Sequence, residues 1–297
     1  MNTQQAATFI GSIAILLWGS LALLTQLAGT HIPPFQLMAM SFAIAFLFML
    51  GRWLLQGHLG IHHLRTNTKS WLLGVSGLFG FHFCYFLAMD KSPAAEVSLI
   101  AYLWPIFIVL LALLLPGERL YKQQLAGAGL ALLGCFLLLS GDSNGFDQRH
   151  LLGYSLAFAS AIIWAVYSVA GRLIPTVNSE TIGWYCGATA ALALCCHLYW
   201  EQTQWPHKPQ QWLALIGLGL GPVGAAFLCW DYGIKHGQIQ LLAVLSYAAP
   251  LISIVLLTLA GSSEMRLEVA LACLLIVAGS LCASRVKTPT AKSINKQ

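Results

Sequence analysis

The stretch Ala94–Leu120, AAEVSLIAYLWPIFIVLLALLLPGERL, is an apolar run long enough to cross a membrane as one helix. Tyr102, Trp104 and Pro105 lie near its centre, at about the bilayer midplane for a helix that rises ~1.5 Å per residue. Tyr and Trp usually lie at the membrane edges, where their polar atoms stay hydrated. The proline also releases the Ala101 carbonyl from the helical hydrogen bonds, and lipid cannot satisfy that oxygen. We therefore expect this point of the chain to face something other than lipid.

A second stretch repeats this pattern later in the chain. Residues 238–261, QIQLLAVLSYAAPLISIVLLTLAG, carry Tyr247 and Pro250 with the same Tyr-x-x-Pro spacing, 145 residues after the first pair. Pro250 is expected to release the Ser246 carbonyl in the same way.

The overall composition is that of a polytopic membrane protein. The chain has 297 residues, of which 58% are hydrophobic and only 8% are charged, and its mean hydropathy is +0.74. So few charges could not cover the surface of a water-soluble domain of this size. The apolar runs, each of about 20 residues, predict an all-α fold of ten transmembrane helices at residues 9–27, 35–55, 70–90, 94–115, 121–140, 151–172, 181–200, 211–232, 239–260 and 266–284.

The positive charges are distributed unevenly between the predicted loops. With the N-terminus inside, 11 of the 15 Lys and Arg residues fall in cytoplasmic segments and 4 in outer loops. The positive-inside rule then predicts that both termini are cytoplasmic. We interpret the net charge of +5 as this topology signal and not as a surface for nucleic acid.

A shift of 145 residues aligns predicted spans 3 to 5 with spans 8 to 10, and it superposes Cys84 on Cys229 and Gly134 on Gly279. Each half then holds five spans, at residues 9–140 and 151–284, followed by a basic cytoplasmic tail at 285–297. Because five is odd, the second half must enter the membrane from the opposite side. Inverted repeats of this kind are typical of secondary carriers, whose site lies at the midplane between the halves.

Aromatic side chains collect at the predicted midplane, where no Arg or Lys is expected. Aromatic faces stack on planar apolar groups, and released carbonyls can accept hydrogen bonds from an ammonium group. The lack of fixed positive charge disfavours phosphorylated cargo and favours small neutral, zwitterionic or weakly cationic molecules with an aromatic or bulky apolar part. The predicted substrate-binding residues are Trp18, His82, Tyr102, Trp104, Pro105, Trp164, Tyr167, Ser168, Tyr247 and Pro250.

Simpler interpretations of these residues stay open. Any one midplane aromatic can be a packed core side chain, and Tyr102 and Trp104 point about 200° apart on one helix. His82 is either a functional ionisable group or a neutral side chain that donates a hydrogen bond to a neighbouring helix. Glu96 is expected to be hydrated near the outer surface, and Asp231 to lie close to the headgroups.

The chain carries none of the motifs that would supply energy or catalysis. It has no G-x-x-x-x-G-K-[ST] loop for ATP, no H-E-x-x-H and no paired midplane aspartates. We predict no cofactor, no metal and no enzymatic activity. His58, His62 and His63 are interpreted as part of a solvated loop, and the eight cysteines as small apolar side chains.

Ten spans in two halves, the segment EVSLIAYLWP at Glu96–Pro105 and the Glu118-Arg119 pair resemble the drug/metabolite transporter superfamily of the EamA type. Within it, E-V-x-x-x-x-Y-L-W-P and Trp164 look most like the bacterial aromatic amino acid exporters known as YddG. The resemblance implies export of aromatic amino acids, and of other amino acids or amphipathic toxicants, across the bacterial inner membrane through a central cavity. We predict a monomeric carrier that exports aromatic or large apolar amino acids by alternating access. A carrier of the same fold for other metabolites, drugs or toxicants, a passive channel and a membrane-embedded enzyme are the alternatives.

Overall fold

The computed structural model describes residues 3–119, 121–139, 147–174, 177–262 and 267–285, and over these residues the backbone forms helices and no strands. The predicted tail therefore lies outside the described residues apart from Arg285. The α-helices are, in chain order, α1 (Thr3–Gly19), α2 (Leu21–Ala28), α3 (Pro34–Leu55), α4 (Thr68–Val75), α5 (Phe81–Lys91), α6 (Ala94–Ala101), α7 (Trp104–Leu111), α8 (Lys122–Leu139), α9 (Leu151–Arg172), α10 (Ile182–Trp200), α11 (Pro209–Leu218), α12 (Ala226–His236), α13 (Ile239–Leu245), α14 (Ala248–Leu259) and α15 (Leu267–Ser284).

Within the described ranges, nine helical runs are long and apolar enough to cross a membrane. They are Thr3–Ala28, Pro34–Leu55, Thr68–Lys91, Ala94–Leu114, Lys122–Leu139, Gln148–Arg172, Ser179–Trp200, Pro209–His236 and Ile239–Leu259. A further apolar segment, Val269–Ser284, belongs to α15 and corresponds to the tenth predicted span.

Four of these runs are interrupted near their middle, and a fifth, Thr3–Ala28, is interrupted at Ser20 between α1 and α2. The helix widens to a π-helix at Ser76–Gly80 between α4 and α5, and again at Gly219–Ala225 between α11 and α12. Two residues separate α6 from α7, and two separate α13 from α14, so each Tyr-x-x-Pro motif lies at a helix break. Proline cannot donate to the preceding turn, which accounts for Pro105 in the first turn of α7 and for Pro222 inside the second π-helix.

The helices pack in pairs: α1 packs on α12, α5 on α9, α3 on α10 and α8 on α15. Small residues allow two of these close approaches. A Cβ at Gly127 of α8 would meet the Gly279 carbonyl of α15, and one at Gly233 of α12 would meet the backbone of Gly11 in α1. Packing of small residues is a main source of attraction between helices in lipid.

The two ends of the bundle are held by different polar contacts. At one end, which we call the basic end, Glu180 pairs with Arg52 at 2.7 Å and accepts a hydrogen bond from Trp53 at 3.0 Å. At the opposite end, the Glu201 carboxylate accepts from the backbone N–H groups of Phe35 and Gln36, both at 2.9 Å. It therefore caps the N-terminus of α3, where a negative charge is favourable.

Candidate functional site

Four tryptophan side chains meet at the centre of the bundle, one each from α1, α7, α9 and α12. Trp18, Trp104, Trp164 and Trp230 form all six mutual ring pairs, with centroids 5.1 to 6.4 Å apart. Five of the six pairs are inclined by 53° or more, and Trp164 stacks on Trp230 at 26°. Inclined and offset arrangements are those that aromatic quadrupoles prefer. We call this set the tryptophan cluster.

Hydrogen bonds fix the orientation of two of these rings. Trp18 Nε1 donates to the carbonyl of Pro222 at 3.1 Å, which lies in the second π-helix. Trp230 Nε1 donates to Ser168 Oγ at 3.1 Å, and both side chains are fully buried. Ser168 thus contacts the cluster by orienting one of its rings.

Four polar and aromatic residues of α9 are spaced at i, i+4, i+7 and i+8, which puts them on one helix face, and this face points to the protein interior. Ser160, Trp164, Tyr167 and Ser168 are all buried. The Tyr167 ring lies 5.1 Å from the Trp164 ring, on the side of the cluster toward the basic end.

His82 lies beside the cluster and not in it. Its Nδ1 donates to the Leu78 carbonyl of its own helical run at 2.7 Å, and not to a neighbouring helix. Its ring contacts Phe42, Phe81 and Phe227 at 5.0 to 6.2 Å. Two of these rings also contact the tryptophans: Phe81 lies 5.5 Å from Trp164, and Phe227 lies 5.7 Å from it.

The structure separates the two Tyr-x-x-Pro tyrosines from the tryptophan cluster. Tyr102 lines an apolar cavity of about 160 Å³ between α6 and α8, together with Leu103 and Cys135. Tyr247 is fully buried and also lies near Cys135. Trp104 points the other way, which agrees with the angle of about 200° that the helix geometry gives.

The two Tyr-x-x-Pro prolines lie at helix breaks, but not every backbone carbonyl that they were expected to release lacks a hydrogen bond. Pro105 and Pro250 are both buried in the first turn of the helix that follows the break. The Ser246 carbonyl accepts from the Ala249 N–H at 3.1 Å, so the expectation that it is released for a ligand is wrong. A hydrogen bond between residues i and i+3 thus replaces the i to i+4 hydrogen bond that Pro250 cannot donate.

At the basic end, a narrow cleft with a cavity volume of about 10 Å³ leads toward Tyr167. Asp231 and Lys235, one turn apart on α12, form an ion pair at 2.7 Å beside it. The Asp231 side chain, which was expected close to the headgroups, is only 5% exposed and therefore faces the protein interior. Lys235 Nζ also donates to the Val177 carbonyl at 2.9 Å. The cleft is lined by Ser70, Leu73, Gly74, Tyr167, Gly171, Ile174, Val177, Asn178, Thr181, Ile182, Tyr185, Asp231 and Lys235.

Comparison with known proteins identifies the family of this chain. The pattern of the EamA-like transporter family matches residues 5–140 and 151–285. The chain belongs to the EamA-like transporter family. The aromatic amino acid exporter YddG of Ancylobacter novellus is 45% identical over 95% of this chain and 98% of its own length. The protein of the same name from Escherichia coli is 29% identical over 94% and 97%. A crystal structure of a chain 46% identical superposes with a TM-score of 0.88, covering 94% of this chain and 97% of that one.

In this EamA-like chain, the sequence analysis missed Trp230, Phe227 and the Asp231–Lys235 pair. All four residues lie on α12. Asp231 was expected close to the headgroups and Lys235 among the cytoplasmic charges, while Phe227 and Trp230 were given no role. The spacing of Phe227, Trp230 and Asp231 at i, i+3 and i+4 was the available signal, because it places them on one helix face.

Two further expectations are corrected by burial. Glu96 in the first turn of α6 was expected to be hydrated but is 0% exposed. His63 was assigned to a solvated loop but is 5% exposed, packs on Trp53 and lies 3.3 Å from Glu180. In the part of the chain that the structure describes, no group of three His, Cys, Asp or Glu side chains is arranged to hold a metal ion.

Proposed function

We propose that this protein is an inner-membrane secondary transporter that exports aromatic or large apolar amino acids by alternating access. The observation that carries the proposal is the tryptophan cluster, whose rings come from α1 and α7 in the first half and from α9 and α12 in the second. Indole faces offer planar apolar surfaces on which an aromatic side chain can stack. The relatives named aromatic amino acid exporters match almost the whole chain.

The packing of the helices supports two inverted five-helix halves, at residues 9–140 and 151–284. The contact of α1 with α12 has its counterpart in the contact of α9 with α5 once the halves are exchanged. The pairs α3 with α10 and α8 with α15 each join equivalent helices. The π-helices and the helix breaks also recur at nearly the same separation along the chain. We infer ten transmembrane helices, with α15 as the tenth and both termini cytoplasmic.

The rings of the tryptophan cluster pack on one another and occupy the centre of the bundle. In a carrier, this packing is expected of an occluded conformation, in which the site is open to neither side of the membrane. Substrate would enter by separating the rings, and Trp18, Trp104, Trp164 and Tyr167 would then contact its side chain. Pro105 and Pro250 would permit the bending and His82 would shape the wall beside the cluster, while Tyr102 and Tyr247 would lie outside the substrate site. Because one chain supplies the whole cluster, a monomer suffices.

Counterflow into proteoliposomes tests the proposal. Vesicles loaded with unlabelled phenylalanine should transiently accumulate labelled phenylalanine, with and without a pH gradient. Vesicles without protein, or with protein and no internal phenylalanine, should not. A lack of accumulation by correctly folded protein would overturn the proposed function.

A second candidate function is export of other small metabolites. Probable amino-acid metabolite efflux pumps of Salmonella typhimurium and Escherichia coli are 27% and 34% identical over 56% and 32% of this chain. The same counterflow assay separates the two candidates, because competition by a panel of unlabelled solutes ranks the cargo.

A further inference from the structure

The Asp231–Lys235 pair at the basic end is the most buried pair of opposite charges in the described part of the chain. The side chains of Lys235 and Asp231 are 4% and 5% exposed, whereas those of Arg172 and Glu118, also at this end, are both 19% exposed. Removing two charges from water is costly, and an apolar pair of the same size often gives equal or greater stability. A buried pair beside a cleft is therefore better explained by a ligand than by folding alone.

The walls of the cleft carry further polar groups that suit a small polar ligand. Thr181 is 1% exposed, and its hydroxyl has no hydrogen-bond partner among the residues that the structure describes. Buried hydroxyls are nearly always paired, so an unpaired one that lines a cleft points to a missing partner. The Ser70 and Asn178 side chains line the same cleft but hydrogen-bond to neighbouring residues of their own segments.

We propose that this cleft binds the zwitterionic headgroup of an α-amino acid, with Lys235 binding the carboxylate and Asp231 the ammonium group. This inference rests on the proposed function and names the residues that would recognise the part common to all amino acids. In the empty protein the two side chains neutralise each other. A zwitterion brings one charge of each sign, so it can exchange with the pair and leave neither buried charge without a partner.

The position of the cleft relative to the tryptophan cluster fits a single bound amino acid. Tyr167 lines the cleft, and its ring lies 5.1 Å from Trp164. Asp231 directly follows Trp230, which is a member of the cluster. A headgroup held at Asp231 and Lys235 would therefore direct its side chain toward the indole rings.

The cleft must widen to admit this ligand, since about 10 Å³ holds no more than one water molecule. Its walls come from α4, α9, α10, α12 and the segment before α10. These elements belong to both proposed halves, so a movement of one half against the other would open it. This places the headgroup site on the route by which substrate enters from the basic end.

The test uses the full chain in proteoliposomes, with labelled phenylalanine and two competitors. Phenylpropionate has the carboxylate but no amine, and phenethylamine has the amine but no carboxylate. Against wild type, neither competitor should inhibit at concentrations at which unlabelled phenylalanine does. Asp231→Asn should raise the KM for phenylalanine about tenfold or more and make phenylpropionate the better competitor. Lys235→Gln should do the reverse and favour phenethylamine, whereas Lys235→Arg should keep the wild-type ranking.

The matched control is Glu118→Gln, which removes an ion-pair partner of Arg172 at the same end but outside the cleft. It should leave the ranking of competitors unchanged. If the single variants at Asp231 and Lys235 fold but rank the competitors as wild type does, the headgroup site is wrong and the proposed function survives. If wild type moves no α-amino acid at all, the proposed function fails together with this site.

A double variant, Asp231→Asn with Lys235→Gln, leaves no buried charge unpaired, so it should fold and lose the preference for zwitterions.

Discussion

Replacing Trp164 should separate recognition of aromatic cargo from general stability. Trp164 is 3% exposed and its ring contacts the other three members of the cluster as well as Phe81, Tyr167 and Phe227. Each aromatic pair contributes about 0.5–1.5 kcal/mol beyond the area that it buries. If the ring of a substrate stacks on Trp164 as these neighbours do, losing one such pair weakens binding roughly 2- to 13-fold.

The assay is counterflow of labelled phenylalanine, with unlabelled phenylalanine and leucine as competitors. Trp164→Leu should weaken competition by phenylalanine by that factor and leave leucine nearly unchanged. Trp164→Phe should keep most of the preference, because it retains an aromatic face. Both variants are to be compared at equal amounts of folded protein, since truncating a buried tryptophan fully to alanine typically costs about 3–5 kcal/mol.

Trp53→Leu is the matched control for this prediction. Trp53 is also fully buried and stacks on Trp184 at 5.7 Å, but it lies at the basic end, outside the cluster. It should lower stability without altering the ratio of phenylalanine to leucine. An unchanged ratio in Trp164→Leu, or an equal change in Trp53→Leu, would refute recognition by the cluster.

Three further predictions concern stability in detergent solution. Gly127→Val should lower the melting temperature, because a Cβ at this position meets the Gly279 carbonyl and overpacking costs about 1–3 kcal/mol. Gly129→Val should leave the melting temperature unchanged, because a Cβ there meets no atom within 4 Å. Glu201→Ala should lower the melting temperature, because it removes the cap of α3 at a cost of about 0.5–2 kcal/mol. In thermal unfolding monitored by circular dichroism, Glu201→Gln should have a smaller effect. Equal effects of the two substitutions would argue against a charged cap. Burial lowers the pKa of His63 below its ordinary value of 6.5, so the folded state favours the neutral ring. Stability should therefore be full above pH 6.5 and fall as the pH drops below it, and the fall should be smaller in His63→Gln; identical pH profiles would show that another group is responsible.

The composition and the length of the apolar runs were sufficient to predict an all-helical membrane protein, and the resemblance of the Glu96–Pro105 segment added the EamA type. That prediction is confirmed, because each run must satisfy its own backbone in lipid and can do so only as a helix. Residues 94–115 and 239–260 were each predicted as one continuous span, whereas the structure breaks both helices at the Tyr-x-x-Pro motifs. A Cβ at Gly74 would meet the ring of Tyr185 and one at Gly77 the ring of Tyr167, so aromatic side chains of neighbouring helices fill the space that these glycines leave. The sequence shows where space is left and not what fills it.

The tryptophan cluster could be predicted only in part. Trp18, Trp104 and Trp164 were found because tryptophan is conspicuous at mid-span. Trp230 was not, because the depth of a residue in a bundle depends on how helices are offset along their axes. Asp231 and Lys235 were taken for surface charges for the same reason, although their i, i+4 spacing allows them to pair inside the protein.

The most direct test of the central claim is counterflow of labelled phenylalanine by the wild-type protein in proteoliposomes. Vesicles loaded with excess unlabelled phenylalanine should accumulate the label transiently above its external concentration. Tryptophan and tyrosine should compete strongly, leucine less and glycine least. An equal ranking of all four solutes would contradict recognition by the aromatic cluster, and equilibration without transient accumulation would show a passive pore in place of a carrier.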